Sequence, residues 1–429
     1  MYTRIFTELV LLTIVECDHW EPLNVALVTP KDIPRLPAKV TEEMRGVILE
    51  MRSLISVQIF DSDPMISKTV IKQCTKLWKP NVDLYLDRFD EMESSHSVDL
   101  SEGFDTARNG VNFVLFVQVN YTRCDSDNGL LASAAPCSLS ENIRPLSGRL
   151  NICPHEDRWR AFKAVHDLFR HELLHALGFG LILPESSSIK SRKFQWNYSD
   201  RKQKIKSEYM DFSKVALNFA RRHFACSGLR GIEAEDADKT HLSEYIFGNE
   251  LMTPILSNEK NYFTFISASI LEETKVGTRQ WYKTNRMLIL AETKSYWYGR
   301  KWGCEFVEKS CTEYISSRTN QSTFPFCNEN DLLQLSLYPS NPKMVCFLTN
   351  TGQLLKFDFH CNAQYYLRAR TSPTGLKAIT LSEQFPSLYA SKLAKMYGSD
   401  YIHRFCPFIQ EVIRDRIVNI PESAIVVRC

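Results

Sequence analysis

His171-Glu172-Leu173-Leu174-His175 places two imidazoles and a carboxylate at the spacing that metal-assisted hydrolysis needs. Residues four apart on a helix stand one above the other on one face, so both rings can reach one metal ion. Zinc suits such a nitrogen site, and it leaves a position open for water when protein ligands fill only three. Glu172 follows the first histidine directly, where its carboxylate can contact that water without ligating the metal.

The pattern requires a helix, and its flanks supply one. Trp159 to Leu177 reads as a single amphipathic helix, with Phe162, Val165, Phe169, Leu173 and Leu177 at helical spacing. Arg158, Arg160, Lys163 and Arg170 furnish much of its polar side. Gly178 stands where the helix needs a residue that tolerates positive φ in order to stop. An ordinary core helix that happens to carry two histidines is the plainer alternative. Three ionisable groups beside an apolar stripe argue against it, because burying them unpaired is costly.

A third ligand must come from elsewhere. In the metzincin pattern HExxHxxGxxH it would follow Gly178 by three residues, but Leu181 occupies that place. Of the ten histidines, His241 is the best candidate because of the run that follows it, Asn249-Glu250-Leu251-Met252-Thr253-Pro254. A lone histidine then a methionine and a proline looks like the Met-turn of that clan, with Met252 as packing support beneath the metal. Either residue alone would more often be plain surface or core.

Here the sequence resembles the leishmanolysin family, metzincins in which a long insertion separates the glycine turn from the third histidine. The likeness is carried by Gly110 to Val119, Cys124, Ala132 to Cys137, Arg144-Pro145 and Gly148 to Pro154. His171 to Phe179, Asn249 to Pro254 and Trp302 to Cys311 continue it. The resemblance implies an α+β fold: a metzincin-type catalytic domain with its active-site helix under a mixed sheet, a helical central subdomain carrying the third ligand, and a disulfide-rich C-terminal domain. It also implies one Zn²⁺ per chain on His171, His175 and His241. Glu172 would be general base toward a zinc-held water, and substrates would be proteins or peptides. The implied function is a secreted endopeptidase, alternatively a catalytically weak zinc protein of the same fold used in cell adhesion or binding.

Composition agrees with a large globular enzyme. A chain of 429 residues with 44% hydrophobic and 24% charged residues is ordinary for a protein with several cores. A formal charge of +2 argues against wholesale binding to nucleic acid or anionic membrane. The basic stretch from Lys190 to Lys206 reads as a solvated face, with a polyanion patch as the lesser reading. No apolar run is long enough to span a bilayer. The end at Ala424 to Cys429 lacks the spacer and tail of a GPI signal, and the expected state is a soluble monomer.

Thirteen cysteines without a CxxC pair point to an oxidising compartment. Residues 1–17 read as a signal peptide, with Arg4 before the apolar Leu9 to Val15 and a cut at Cys17-Asp18 that leaves an even number of cysteines. A second reading sees in Cys17-Asp18-His19 the propeptide cysteine of the resembled family, with the propeptide missing or the N-terminus incomplete. Sequons at Asn120, Asn197 and Asn320 mark candidate glycosylation sites and fit a secreted glycoprotein. An intracellular location is the alternative if the signal does not function.

Residues 18–185 read as the N-terminal catalytic subdomain. Within them a strand begins near Leu23 to Leu27, helical spacing runs from Val40 to Val57, and Phe113 to Val119 is a core strand. Residues 186–300 form the central subdomain, with helical patterns at Val215 to Phe224 and Phe265 to Glu273. Residues 301–429 hold seven of the thirteen cysteines among short β-like runs such as Leu354 to Phe359. Cysteines 74, 124, 137 and 153 can pair among themselves, leaving Cys226 for one of the later ones. The resemblance favours Cys304.

Overall fold

Three strands, Val25–Pro30, Phe113–Gln118 and Ser147–Ile152, run parallel at the middle of a six-stranded mixed sheet. Leu84–Arg88 and then His96–Ser97 extend one side antiparallel, and Ala132–Pro136 closes the other. Every residue of Phe113–Gln118 is buried, as expected of a central strand covered on both faces. Side chains alternate between two cores. Val25, Leu27, Phe113, Leu115, Val117, Leu150 and Ile152 join the large core shared with the helices. Ala26, Val28, Val114 and Phe116 face a smaller one with Ile66, Ile71, Leu86 and Phe104. The computed structural model describes residues 19–308, less 181–208 and shorter stretches at 34–36, 60–64, 80, 89–95, 127–129, 138–143, 155, 211–213, 236–238, 255, 257–259, 275–279 and 297. Residues 1–17, the Lys190 to Lys206 stretch, Asn197, Asn320, Leu354 to Phe359 and nearly all of 301–429 lie outside the described residues.

The helix Ala38–Leu54 buries Val40, Met44, Val47, Ile48, Met51 and Leu54 along one stripe. It stops three residues short of the expected Val57. From Ile55 the β-branched residues fall at every second position, and Ile55–Ile59 is a strand paired antiparallel with His19–Pro22 and Tyr282–Thr284. That second sheet draws its third strand from the segment that follows His241.

The helix expected over Trp159 to Leu177 is two helices, Glu156–Ala161 and Val165–Ala176. Trp159 donates its indole N–H to the Cys153 carbonyl at 2.7 Å and stacks on Phe169, centroids 5.8 Å apart. The two pieces bury the same side in one core, so the apolar spacing carries across the break and cannot reveal it. Arg170, expected on the polar side, is 0% exposed. Glu292 at 2.6 Å, Asp167 at 3.3 Å and Glu50 at 3.5 Å neutralise it, which is what allows a guanidinium inside.

Helices Lys214–Phe224 and Phe265–Glu273 fall where their spacing predicts. Disulfides join Cys74 to Cys137, Cys124 to Cys153 and Cys226 to Cys304, the last with Cα atoms 4.8 Å apart. Among the described residues no helix is long and apolar enough to cross a membrane.

Candidate metal centre

One turn apart on the helix Val165–Ala176, His171 and His175 bring their Nε2 atoms within 2.9 Å of each other. His241 brings its own Nε2 to 3.1 Å from that of His175. The three form a group able to hold a metal ion. Gly178, at φ +104°, ends the helix as its position predicts. Gly180 then passes so close to the segment bearing His241 that a Cβ on it would lie 2.6 Å from the Thr240 carbonyl oxygen. That close approach joins the histidine helix to the third ring, and the sequence gives no direct sign of it.

Backbone carbonyls orient the rings. His171 Nδ1 lies 2.6 Å from the Leu251 carbonyl, and His175 Nδ1 lies 3.1 Å from that of Phe179. A carbonyl can only accept, so both Nδ1 atoms carry protons and, in the neutral rings, both Nε2 atoms carry lone pairs. Burial, followed by the neighbouring His175 and His241, pushes the His171 pKa well below its usual value and keeps that ring neutral. Two imidazole lone pairs facing each other at 2.9 Å repel unless a cation lies between them. The donor set therefore fits a divalent metal, and nitrogen-rich sites of this kind suit zinc. His241 Nδ1 stands 2.9 Å from the Thr240 hydroxyl. Its main chain is held by Glu235 N–H donating to the His241 carbonyl and Leu242 N–H donating to that of Met252.

Glu172 is 1% exposed, and neither carboxylate oxygen makes a hydrogen bond of ordinary geometry. Burial raises its pKa to about 8, with the Ala134 backbone N–H and then Arg123 opposing the rise. Buried carboxylates are normally paired, which sets this one apart.

Met252 is fully buried, and its N–H donates to Glu250 Oε2 at 2.7 Å. Burial raises the Glu250 pKa to about 7, against the pull of its donors Met252 and Thr264. Sequence reasoning did not assign Glu250, although it lies inside the run that identified Met252. Asn120, half-buried, caps the helix Tyr121–Ser126 by accepting from Arg123 N–H at 3.1 Å.

A family model described as leishmanolysin matches residues 95–413, a span that contains the three histidines, Glu172 and Met252. The leishmanolysin-like peptidase of Caenorhabditis elegans is 23% identical over 353 residues, covering 70% of this chain and 48% of that protein. Its counterpart in Drosophila melanogaster is 24% identical over 270 residues, covering 53% and 38%. Leishmanolysin of Leishmania major is 25% identical over 237 residues, covering 54% and 35%. At most, the chain spans about half the length of the curated relatives it matches.

Proposed function

The chain belongs to the leishmanolysin family, and from that premise we propose that it is a secreted zinc-dependent endopeptidase acting on protein or peptide substrates. The observation that carries the reading is the convergence of three imidazole Nε2 atoms next to a buried carboxylate that makes no hydrogen bond of ordinary geometry. His171, His175 and His241 would hold one Zn²⁺. The metal, when bound, supplies Lewis acidity toward a substrate carbonyl and the attacking water.

The remaining steps belong to side chains. Glu172 takes a proton from the attacking water and returns it to the departing amine, a role for which its free oxygens and raised proton affinity suit it. The Leu251 and Phe179 carbonyls fix the tautomers of His171 and His175, so that both rings present Nε2 without rearrangement. Met252 packs as an inert support for the turn that holds Leu251.

In this reading residues 18–185 are a metzincin-type catalytic subdomain, 186–300 a central subdomain carrying His241, and 301–429 a cysteine-rich domain. Three disulfides and the Asn120 sequon support passage through an oxidising, secretory compartment. Cleavage of an unfolded protein substrate, lost with a chelator and restored by zinc, is the expected result. Tight zinc binding without any cleavage would transfer the case to an adhesion or binding role.

A further inference from the structure

Glu250 is 0% exposed, and its carboxyl oxygens are met by donors. Its Oε2 accepts from Met252 N–H at 2.7 Å. Its Oε1 accepts from Thr264 N–H at 3.2 Å and from the Thr264 hydroxyl at 2.9 Å. That hydroxyl donates to Glu250 while accepting from Ile266 N–H at 3.1 Å. These contacts hold the carboxyl as an acceptor.

Met252 N–H and the Leu251 carbonyl are the two ends of one peptide group. One end meets Glu250, and the other accepts from His171 Nδ1 at 2.6 Å. The peptide is fixed between them by Leu251 N–H donating to the Tyr262 carbonyl and Leu242 N–H donating to that of Met252. A carboxylate on an amide N–H shifts electron density toward the carbonyl oxygen, because linked hydrogen bonds polarise one another. A more negative carbonyl draws harder on the Nδ1 proton and makes the far nitrogen of the ring a better donor to a metal.

We propose that Glu250, the 251–252 peptide and His171 form a carboxylate–peptide–imidazole relay that strengthens the hold of His171 Nε2 on zinc. Glu250 is then a positioning residue, acting through a peptide where a carboxylate more often touches the histidine itself. This rests on the reading of the three imidazoles as a zinc site. The plainer role is that Glu250 only stabilises the turn, which would lower the melting temperature and leave metal affinity unchanged in the folded protein.

Zinc affinity separates the two. The full chain is stripped of metal and titrated with zinc against a chromophoric chelator, as wild type, Glu250→Gln and Thr264→Val. The amide has the carboxylate's shape but carries no charge to polarise the peptide, and one of its ends must face a donor with another donor. Glu250→Gln should bind zinc about 10–100-fold more weakly, the usual cost of losing a group that supports a metal ligand. Thr264→Val removes one donor to Glu250 and a helix cap without touching Met252 N–H, and should lose stability but keep parental zinc affinity. Parental affinity in folded Glu250→Gln, or an equal loss in Thr264→Val, would overturn the relay while leaving the zinc site in place. A wild type that takes up no zinc would instead overturn the zinc reading itself. Should Glu250→Gln not fold, wild-type protein labelled with ¹⁵N-methionine decides the question. The Met252 amide proton should move downfield when zinc is added, and its failure to move would sink the proposal.

Discussion

Gly148, on the strand next to the sheet edge, lies so close to Ala176 that a Cβ on Gly148 would stand 2.8 Å from the Ala176 Cβ. The same Cβ would meet the Phe113 ring at 3.2 Å and the Ala135 carbonyl at 3.2 Å. None of these neighbours is the end of a flexible side chain. The histidine helix must therefore lift at its C-terminal turn when Gly148 is replaced. Gly148→Ala should destabilise the fold by about 1–3 kcal/mol and lower peptidase activity by displacing His175 from the other two rings. Thermal denaturation and a cleavage assay on one preparation check this, and parental values in both would show that the helix has room to spare.

Glu172→Gln should keep the fold and bound zinc yet lose about 10²–10⁴-fold in kcat, because an amide cannot take a proton from the attacking water. Exchanging this buried carboxylate for a neutral amide should not lower stability, since no hydrogen bond of ordinary geometry is lost. Near-parental cleavage in a zinc-replete assay would assign the base to another residue.

How far the site can be read from sequence depends on whether its chemistry resides in side-chain identity. His171 and His175 are legible because a helix fixes their spacing, and His241 is legible through the run ending at Met252 and Pro254. The carbonyls of Leu251 and Phe179 are not, since every residue carries one and only the fold selects which faces an imidazole. Arg170 reads as a surface cation until Glu50, Asp167 and Glu292, from three separate segments, arrive around it. The break between Ala161 and Val165 is hidden for a different reason: both helices present their apolar residues to one core, so the period survives the interruption.

Replacing both Cys226 and Cys304 by serine should cost about 2–5 kcal/mol, since the bridge closes a long loop, with a sequence separation of 78 residues. Cys226 follows the helix Lys214–Phe224, and Cys304 lies in the helix Gly303–Glu308. Breaking the link frees the segment leading to His241 from the chain that follows it. The melting temperature should fall and mass mapping should find Cys74–Cys137 and Cys124–Cys153 intact. An unchanged melting temperature would show that packing alone holds the two helices together.

His166 lies between two carboxylates of the helix Ala38–Leu54, with Nε2 2.5 Å from Glu50 and Nδ1 3.2 Å from Glu43. The hydrogen bond that His166 donates to Glu50 raises the His166 pKa above its ordinary 6.5. Burial alone would raise Glu50, but the His166 bond and the charge of Arg170 outweigh it and bring Glu50 below its ordinary 4.5. A histidine with a raised folded pKa contributes stability that is complete below its unfolded value and disappears as pH climbs through the folded one. The lowered Glu50 contributes stability present above its unfolded value and lost as pH falls through the folded one. The pair therefore stabilises most between about pH 4.5 and 6.5. In metal-free protein the melting temperature of wild type should exceed that of His166→Gln most widely in that window. The gap should narrow as pH rises from about 6.5 through the raised His166 pKa and then level off, because the ring loses its charge against Glu50 and Glu43. His171, His175 and His241 are common to both proteins and cancel in the difference. A gap that stays constant into the alkaline range would mean that His166 acts through packing and neutral hydrogen bonds, without a charge.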